Sequence, residues 1–484
     1  MSASLFFYDL ETSGLPSATS RIMQFAGQRT DLDLNPIEPP INQLIRLNPD
    51  ILPDPTAVLI HGISPQQTIL EGLTEAEFLK LFYAEIVRPS TTFIGFNNCR
   101  FDDEFMRFLN YRNLYDPYSW SYANNCSRWD ILDIVRATRA LRPDGINWPV
   151  DNNGKKINKL EALTAANGLK HEAAHDALSD VQATIEVAQL IKTSQPKLYD
   201  YFFNLRLKEN ALKLVNTNQP FIYTSYHYPE SQYHTTAVIK VADHPSKNCV
   251  MVYDLRFDPT SWLNLTVDQL VNSWQFRKDR PIDDIVLPVK TIRLNRFPAI
   301  APIGVIGDNT IQARLEISLK TIIKHQTILN LNKTEFAKKL TQAVKILNNQ
   351  QQLSQQLPSL SVDERMYDGF YSNQDRNLII ELHQNETAQK IRLISNKFKD
   401  ERLIQLSSLY LARNYPDQLV IDERVSWDKY LQQRLFTGGE KSLLALYFNS
   451  IQQLATEHTD ARSKILLEDL KLYGESLIPS DINE

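Results

Sequence analysis

FFYDLETSG, residues 6–14, is the stretch that decides the fold. An apolar, aromatic run of good strand propensity ends in two carboxylates, Asp9 and Glu11, followed by Thr12, Ser13 and Gly14. Residues i and i+2 of a strand face the same side, so both carboxylates project together. The run is apolar throughout, as expected of a central strand buried on both faces. Paired like charges repel, and burial sharpens the repulsion. A hard divalent cation, Mg²⁺ or Mn²⁺, removes the conflict. Taken alone, the pair reads equally as a solvated Asp and Glu at a strand end.

Outward from this stretch, the chain has 484 residues, enough for two to four domains, with 43% hydrophobic and 23% charged residues, an ordinary globular mix. Its 14 Gly and 24 Pro exclude a fibrous or disordered chain. The net charge of -5 means that any nucleic-acid surface must gather its positive charge locally. Cys99, Cys126 and Cys249 form neither a CxxC pair nor a zinc spacing, the usage of reduced thiols in a cytoplasmic protein. No signal-peptide pattern and no bilayer-length apolar run is expected.

Residues 21–30 alternate as a strand, and Asn42–Leu47 supplies another, giving the first strand two antiparallel neighbours. Thr74–Val87 reads as a helix whose capping box is Thr74 and Glu77. Thr91–Phe96 is a second inner strand, running into Asn97, Asn98, Asp102 and Asp103. The two Asp residues stand where a helix begins and read also as caps favoured by its dipole. Trp129–Leu141 and Lys159–Ala166 are helical, the latter stopped at Asn167-Gly168. Ala177, Val181, Ile185 and Ala188 form the buried stripe of a further helix. His175 and Asp180 are five residues apart, about 140° round a helix, so His175 is expected in the loop just before it.

D-x-E-T-x-G, N-x-x-F-D and H-x4-D follow one another within one domain-sized span. This order resembles the DEDDh 3′–5′ exonuclease family, a branch of the α/β ribonuclease-H-like fold, with Asp9, Glu11, Asp102, His175 and Asp180 at the matching positions. Asp102 rather than Asp103 takes the family position because it directly follows Phe101. The longer stretches GFNNCRFDDE, YRNLYDPY, SRWD, LRPDGINWP and MYDGFYSNQDR resemble the bacterial exonuclease I branch, which degrades single-stranded DNA.

The resemblance implies two Mg²⁺ ions, for which Mn²⁺ can substitute, held by Asp9, Glu11, Asp102 and Asp180. It makes His175 the group that takes a proton from the attacking water. Glu11 is implied as a substrate contact as well as a metal ligand, Lys159 as a phosphate contact, though its sequence context reads equally as a solvated lysine, and Arg107, Tyr118, Tyr122 and Arg136 as contacts along the DNA path. The region 107–129 is dense in aromatic and basic residues, the combination that tracks unpaired bases, although core packing would use many of the same rings.

Past residue 215 the pattern becomes β: residues 221–228, 234–244, 248–255 and 286–295 are expected strands of a small barrel, which the resemblance implies to be SH3-like. The loop around Arg293, Arg296 and Phe297 reads either as reaching over the nuclease cleft or as packing between domains. Residues 309–348 turn helical, with Lys338, Lys339 and Lys345 outward. The Gln-rich stretch from Asn348 to Pro358 reads as a linker. The last third is helical, by the spacing of Leu444, Tyr447, Ile451 and Leu454, and near its start lies Tyr367, which the resemblance implies as a further substrate contact.

The expected domains are 1–195 (exonuclease), 196–348 (SH3-like barrel), 349–363 (linker) and 364–484 (all-α). The expected activity is Mg²⁺-dependent, processive 3′–5′ release of 5′-mononucleotides from single-stranded DNA, in repair and recombination. The alternatives are a DEDDh enzyme acting on RNA or in proofreading, and an inactive DNA-binding scaffold. The resemblance also implies a partner, the acidic tail of single-stranded-DNA-binding protein, with Arg142 and Tyr201 as candidates for its pocket. The molecule is expected to be a cytoplasmic monomer.

Overall fold

The computed structural model describes residues 3–171, 175–275, 286–354, 361–384 and 386–479. The chain divides into two compact units, which interleave along the sequence. The first comprises residues 1–126, 172–182 and 359–484, the second 127–171 and 183–358.

In the first unit, strands β1 (Ser4–Thr12), β2 (Ile22–Thr30), β3 (Ile41–Leu44) and β4 (Thr91–Gly95) stand in the order β3-β2-β1-β4. β1 pairs antiparallel with β2 and parallel with β4. Phe6, Tyr8 and Leu10 of β1 pack into a core with Phe25, Phe78, Phe82, Phe93 and Trp120. The register slips between Glu11 and Thr12. Such a bulge re-aims side chains where a strand leaves its ladder. Gly95 closes β4 because a Cβ there would stand 2.7 Å from that of Asn98.

The helices used below are α1 (Pro55–His61), α2 (Glu75–Leu81), α3 (Asp102–Arg112), α4 (Ile131–Leu141), α5 (Leu160–Ala166), α6 (Ala177–Ser194), α7 (Leu319–Ser354) and α8 (Glu401–Asn414). The Thr74–Glu77 capping box forms, but α2 passes into a π-helical turn over Phe82–Ile86. C-terminal helices share a core with α3, in which Phe108, Tyr111 and Leu114 meet Met366, Leu403, Leu406 and Tyr410.

This packing surrounds a buried ionic network. Arg21 Nη2 lies 2.8 Å from Asp363, and Arg413 reaches Asp363 at 2.6 Å and Asp50 at 2.7 Å. Arg112 and Arg21 flank Glu75 at 3.2 and 3.7 Å. Burial would raise all three carboxyl pKa values. The arginines, Arg413 foremost for Asp363 and Asp50 and Arg112 for Glu75, hold them below the ordinary carboxylate range instead.

In the second unit, β6 (Phe221–Thr224), β7 (Thr235–Asp243), β8 (Cys249–Asp254), β9 (Val289–Arg293) and β10 (Ala299–Pro302) form an antiparallel sheet ordered β10-β6-β7-β8-β9. Between the two sheets in sequence, Ser127–Asp130 is a strand, β5. The helix expected from Trp129 therefore starts two residues later, at Ile131, where the Asp130 carboxylate accepts from Leu132 N at 3.0 Å. α7 runs on into the Gln-rich stretch read as a linker. Gln is a good helix former, and no Gly or Pro intervenes before Pro358. Residues 355–360 of that stretch lie outside the described residues.

Candidate active site

β1 delivers Asp9 and Glu11 from its C-terminal end, and the first turn of α6 delivers Asp180. One carboxylate oxygen from each lies within 4.8 Å of the others. Asp102 stands in the first turn of α3, 3% exposed. Its neighbour Asp103 is turned to a structural task, accepting the Tyr8 hydroxyl at 2.6 Å. His175 precedes α6 as expected, exposed, with φ at 66°.

The electrostatics set these carboxyls apart. Burial first, then the charges of Asp102, Asp180, Glu11 and Asp176, push the Asp9 carboxyl well above its ordinary value. Burial, then Asp180, Asp102 and Asp176, push Glu11 up to about 8. The named charges acting on both groups are all carboxylates. A divalent cation among these hard oxygen donors reverses every one of those repulsions. The residues present therefore fit a metal centre.

Asp176, Gln24 and His61 were not singled out from sequence. Asp176 caps α6, accepting from Ser179 N at 3.2 Å, and accepts from Gln24 Nε2 at 3.2 Å. Gln24 pairs with Glu11 across β1 and β2, and also holds Asn42 at 2.9 Å. It thus ties the sheet to the turn carrying His175. The alternation along β2 puts Gln24 on the Glu11 side, which is the one signal that could have found it. His61, at the end of α1, has a pKa lowered to about 4 by burial first, against a backbone hydrogen bond to Thr12, with His175 and Arg462 adding to the lowering.

The expected DNA contacts divide. Tyr122 is 63% and Tyr367 59% exposed, while Tyr118 is half-buried under Arg107, whose guanidinium lies 5.3 Å from the ring centre. Arg107 is buried and paired with Glu104. Tyr111, Arg112 and Trp120 are core residues, so much of the aromatic and basic density of this region serves packing. Lys159, Arg136, Arg296 and Phe297 belong to the second unit. There Lys159 is exposed at the start of α5, and Arg136 pairs with Asp133 at 2.7 Å. Of the two readings of its loop, Phe297 favours packing over a reach across the cleft: it is 8% exposed, in the tight connection between β9 and β10, with Arg128 stacked at 5.3 Å.

A ribonuclease-H-like sheet carrying this acidic cluster defines a class: an exonuclease that hydrolyses its substrate with divalent metal. Residues 6–188 match the exonuclease family, 206–345 the exonuclease I SH3-like domain and 360–477 the exonuclease I C-terminal domain. The chain belongs to the exonuclease I family. It is 37% identical to exodeoxyribonuclease I of Haemophilus influenzae over 98% of this chain and 99% of that protein. The moderately thermophilic exonuclease I of Methylocaldum szegediense superposes with a TM-score of 0.90 at 38% identity, covering 99% of this chain and 100% of that one. Escherichia coli exonuclease I in complex with a dA16 oligonucleotide gives 0.90 at 34% identity, over 99% and 100% of the two chains. Related structures include a zinc-bound E. coli complex with single-stranded DNA and an SSB/exonuclease I structure with an inhibitor. Among the described residues, no helix is long and apolar enough to cross a membrane.

Proposed function

We propose that this chain processively removes 5′-mononucleotides from the 3′ end of single-stranded DNA, using two Mg²⁺ ions that Mn²⁺ can replace. The observation that carries the reading is the convergence of Asp9, Glu11 and Asp180 within 4.8 Å, with Asp102 acting on the same carboxyls. Asp9 would be shared between the two ions, Glu11 and Asp180 would complete one shell, and Asp102 would serve the other. Two ions so held supply an activated water and neutralise charge on the phosphodiester and the leaving 3′ oxygen. His175, outside the helix and exposed, takes the proton from the attacking water as a general base. Gln24 and Asp176 hold the turn that presents it.

Tyr118, Tyr122 and Tyr367 offer rings for unpaired bases, with Arg107 behind Tyr118. Lys159, Arg136 and Arg296 are proposed backbone contacts. The proposed domains are 1–195, 196–348 and 364–484, with 349–363 as the linker. The acidic tail of single-stranded-DNA-binding protein is the proposed partner, received near Arg142 and Tyr201. The Arg142 guanidinium lies 2.6 Å from the Leu141 carbonyl, and Tyr201 packs on the core of the second unit. A monomeric, cytoplasmic enzyme of DNA repair and recombination completes the proposal. Digestion of matched 3′-labelled DNA and RNA oligomers tests it: DNA is degraded and RNA spared, and the opposite preference contradicts the reading.

A further inference from the structure

The end of β1 that carries the carboxylates lies beyond one of its two ladders. β1 pairs with β4 from Ser4 to Phe7, opposite Thr91 to Ile94, and Phe7 is the last residue so paired. Asp9 and Glu11 come after it, and Asp102 belongs to the helix that follows β4. After burial, the charge of Asp102 is the largest influence raising the Asp9 pKa. Two groups that repel each other are therefore brought together where the β1–β4 ladder has stopped. The helix end that carries Asp102 also starts without help from its cap position. Phe101 stands there, and its side chain accepts no hydrogen bond from the helix.

Tyr8 is the first residue past the ladder, and alternation along the strand turns it to the face opposite Asp9 and Glu11. There its hydroxyl donates to Asp103 at 2.6 Å, with Tyr8 2% and Asp103 0% exposed. Its ring is packed by three others, with Phe25 stacked at 6.0 Å and Phe93 and Trp120 edge-on at 6.5 and 6.3 Å. The bond thus joins the chain neighbours of Asp9 and of Asp102 through a ring held in place. Asp103 keeps a counter-charge besides, being the foremost charge acting on the buried Arg107 one turn along α3.

We propose that Tyr8 and Asp103 are positioning residues that fix Asp102 opposite Asp9, so that the acidic cluster is assembled before a cation arrives. Neither residue touches the ion or the DNA. The pair takes over where the ladder ends and supplies the anchor that Phe101 does not. Bonds of this kind, one shell out from the ligands, set how tightly a site holds its metal. The proposal rests on the metal-centre reading above.

The test measures metal binding with no DNA present and no turnover. Mn²⁺ is titrated into the whole metal-free chain, and the free ion is followed by electron paramagnetic resonance. Tyr8→Phe removes a single oxygen atom and should weaken Mn²⁺ binding about 10- to 100-fold. Added to Asp103→Ala, which lacks the acceptor, the same change should cost nothing further. Tyr83→Phe is the control. It removes an equally short bond, 2.6 Å, to Asn110 of the same helix, two turns beyond Asp103, and should leave the affinity unchanged. Wild-type affinity in Tyr8→Phe would overturn the proposal. So would an equal loss in Tyr83→Phe, or a second loss of full size in the Asp103→Ala background. Wild-type protein that binds no Mn²⁺ overturns the metal-centre reading instead.

Discussion

Two groups of buried carboxylates in the first unit meet opposite fates. Asp50, Glu75 and Asp363 are enclosed with Arg21, Arg112 and Arg413, and their pKa values fall despite burial. Asp9 and Glu11 are enclosed with Asp102, Asp176 and Asp180, and their pKa values rise. The first group carries its counter-charges within the chain, joining helices near both ends of the sequence. The second leaves its counter-charge to be supplied from solution. Burial of acidic residues is common to both; the sign of the charges gathered around them marks the functional one.

The comparison breaks most sharply through single substitutions. Asp180→Asn should lower hydrolysis by about 10³-fold or more, since on the proposed reading it removes a ligand from an ion that stabilises the transition state. Binding of single-stranded DNA should survive, as a filter or anisotropy assay would show. Arg413→Ala should instead destabilise the fold by about 3–5 kcal/mol in urea unfolding, because it strands Asp363 and Asp50 without their partner. His175→Ala should slow turnover by about 10²–10⁴. If raising the pH leaves the rate flat in both wild type and variant, His175 is not the base.

Smaller effects sharpen the contrast. Without metal, Asp180→Asn should stabilise the protein, by about 1 kcal/mol, because it relieves a repulsion that serves only function. A thermal melt in EDTA reads this directly. Glu386 behaves like the structural group: hydrogen bonds from His383, Tyr415 and Tyr410 outweigh burial and lower its pKa from 4.5 to about 2. Its folded value lies below its unfolded one, so its stabilisation is present above pH 4.5 and fades as the pH falls toward 2. Glu386→Gln should flatten stability across that window.

Much of this was legible in the sequence because it is local. The strand carrying Asp9 and Glu11, the Thr74 capping box and the loop position of His175 follow from spacing alone, and the structure reproduces each. The resemblance added Asp102 and Asp180, and Asp180 joins the cluster. What depends on distant partners was not legible. No pattern around Arg21 announces Asp363, 342 residues later. The loop of Phe297 reads two ways until Arg128 is found stacked on the ring. Asp176, a helix cap, has a second role that only the geometry of Gln24 reveals. Polar Gln repeats suit linkers and helices alike, so α7 outran its expected end.

The most direct measurement takes one single-stranded DNA oligomer, labelled in turn at its 3′ and 5′ ends, with and without Mg²⁺. Caged carboxylates awaiting a cation predict immediate release of labelled mononucleotide from the 3′-labelled strand and a shortening ladder from the 5′-labelled one, both only when metal is present. Equal cleavage in EDTA, or mononucleotide released first from the 5′ label, would contradict the account.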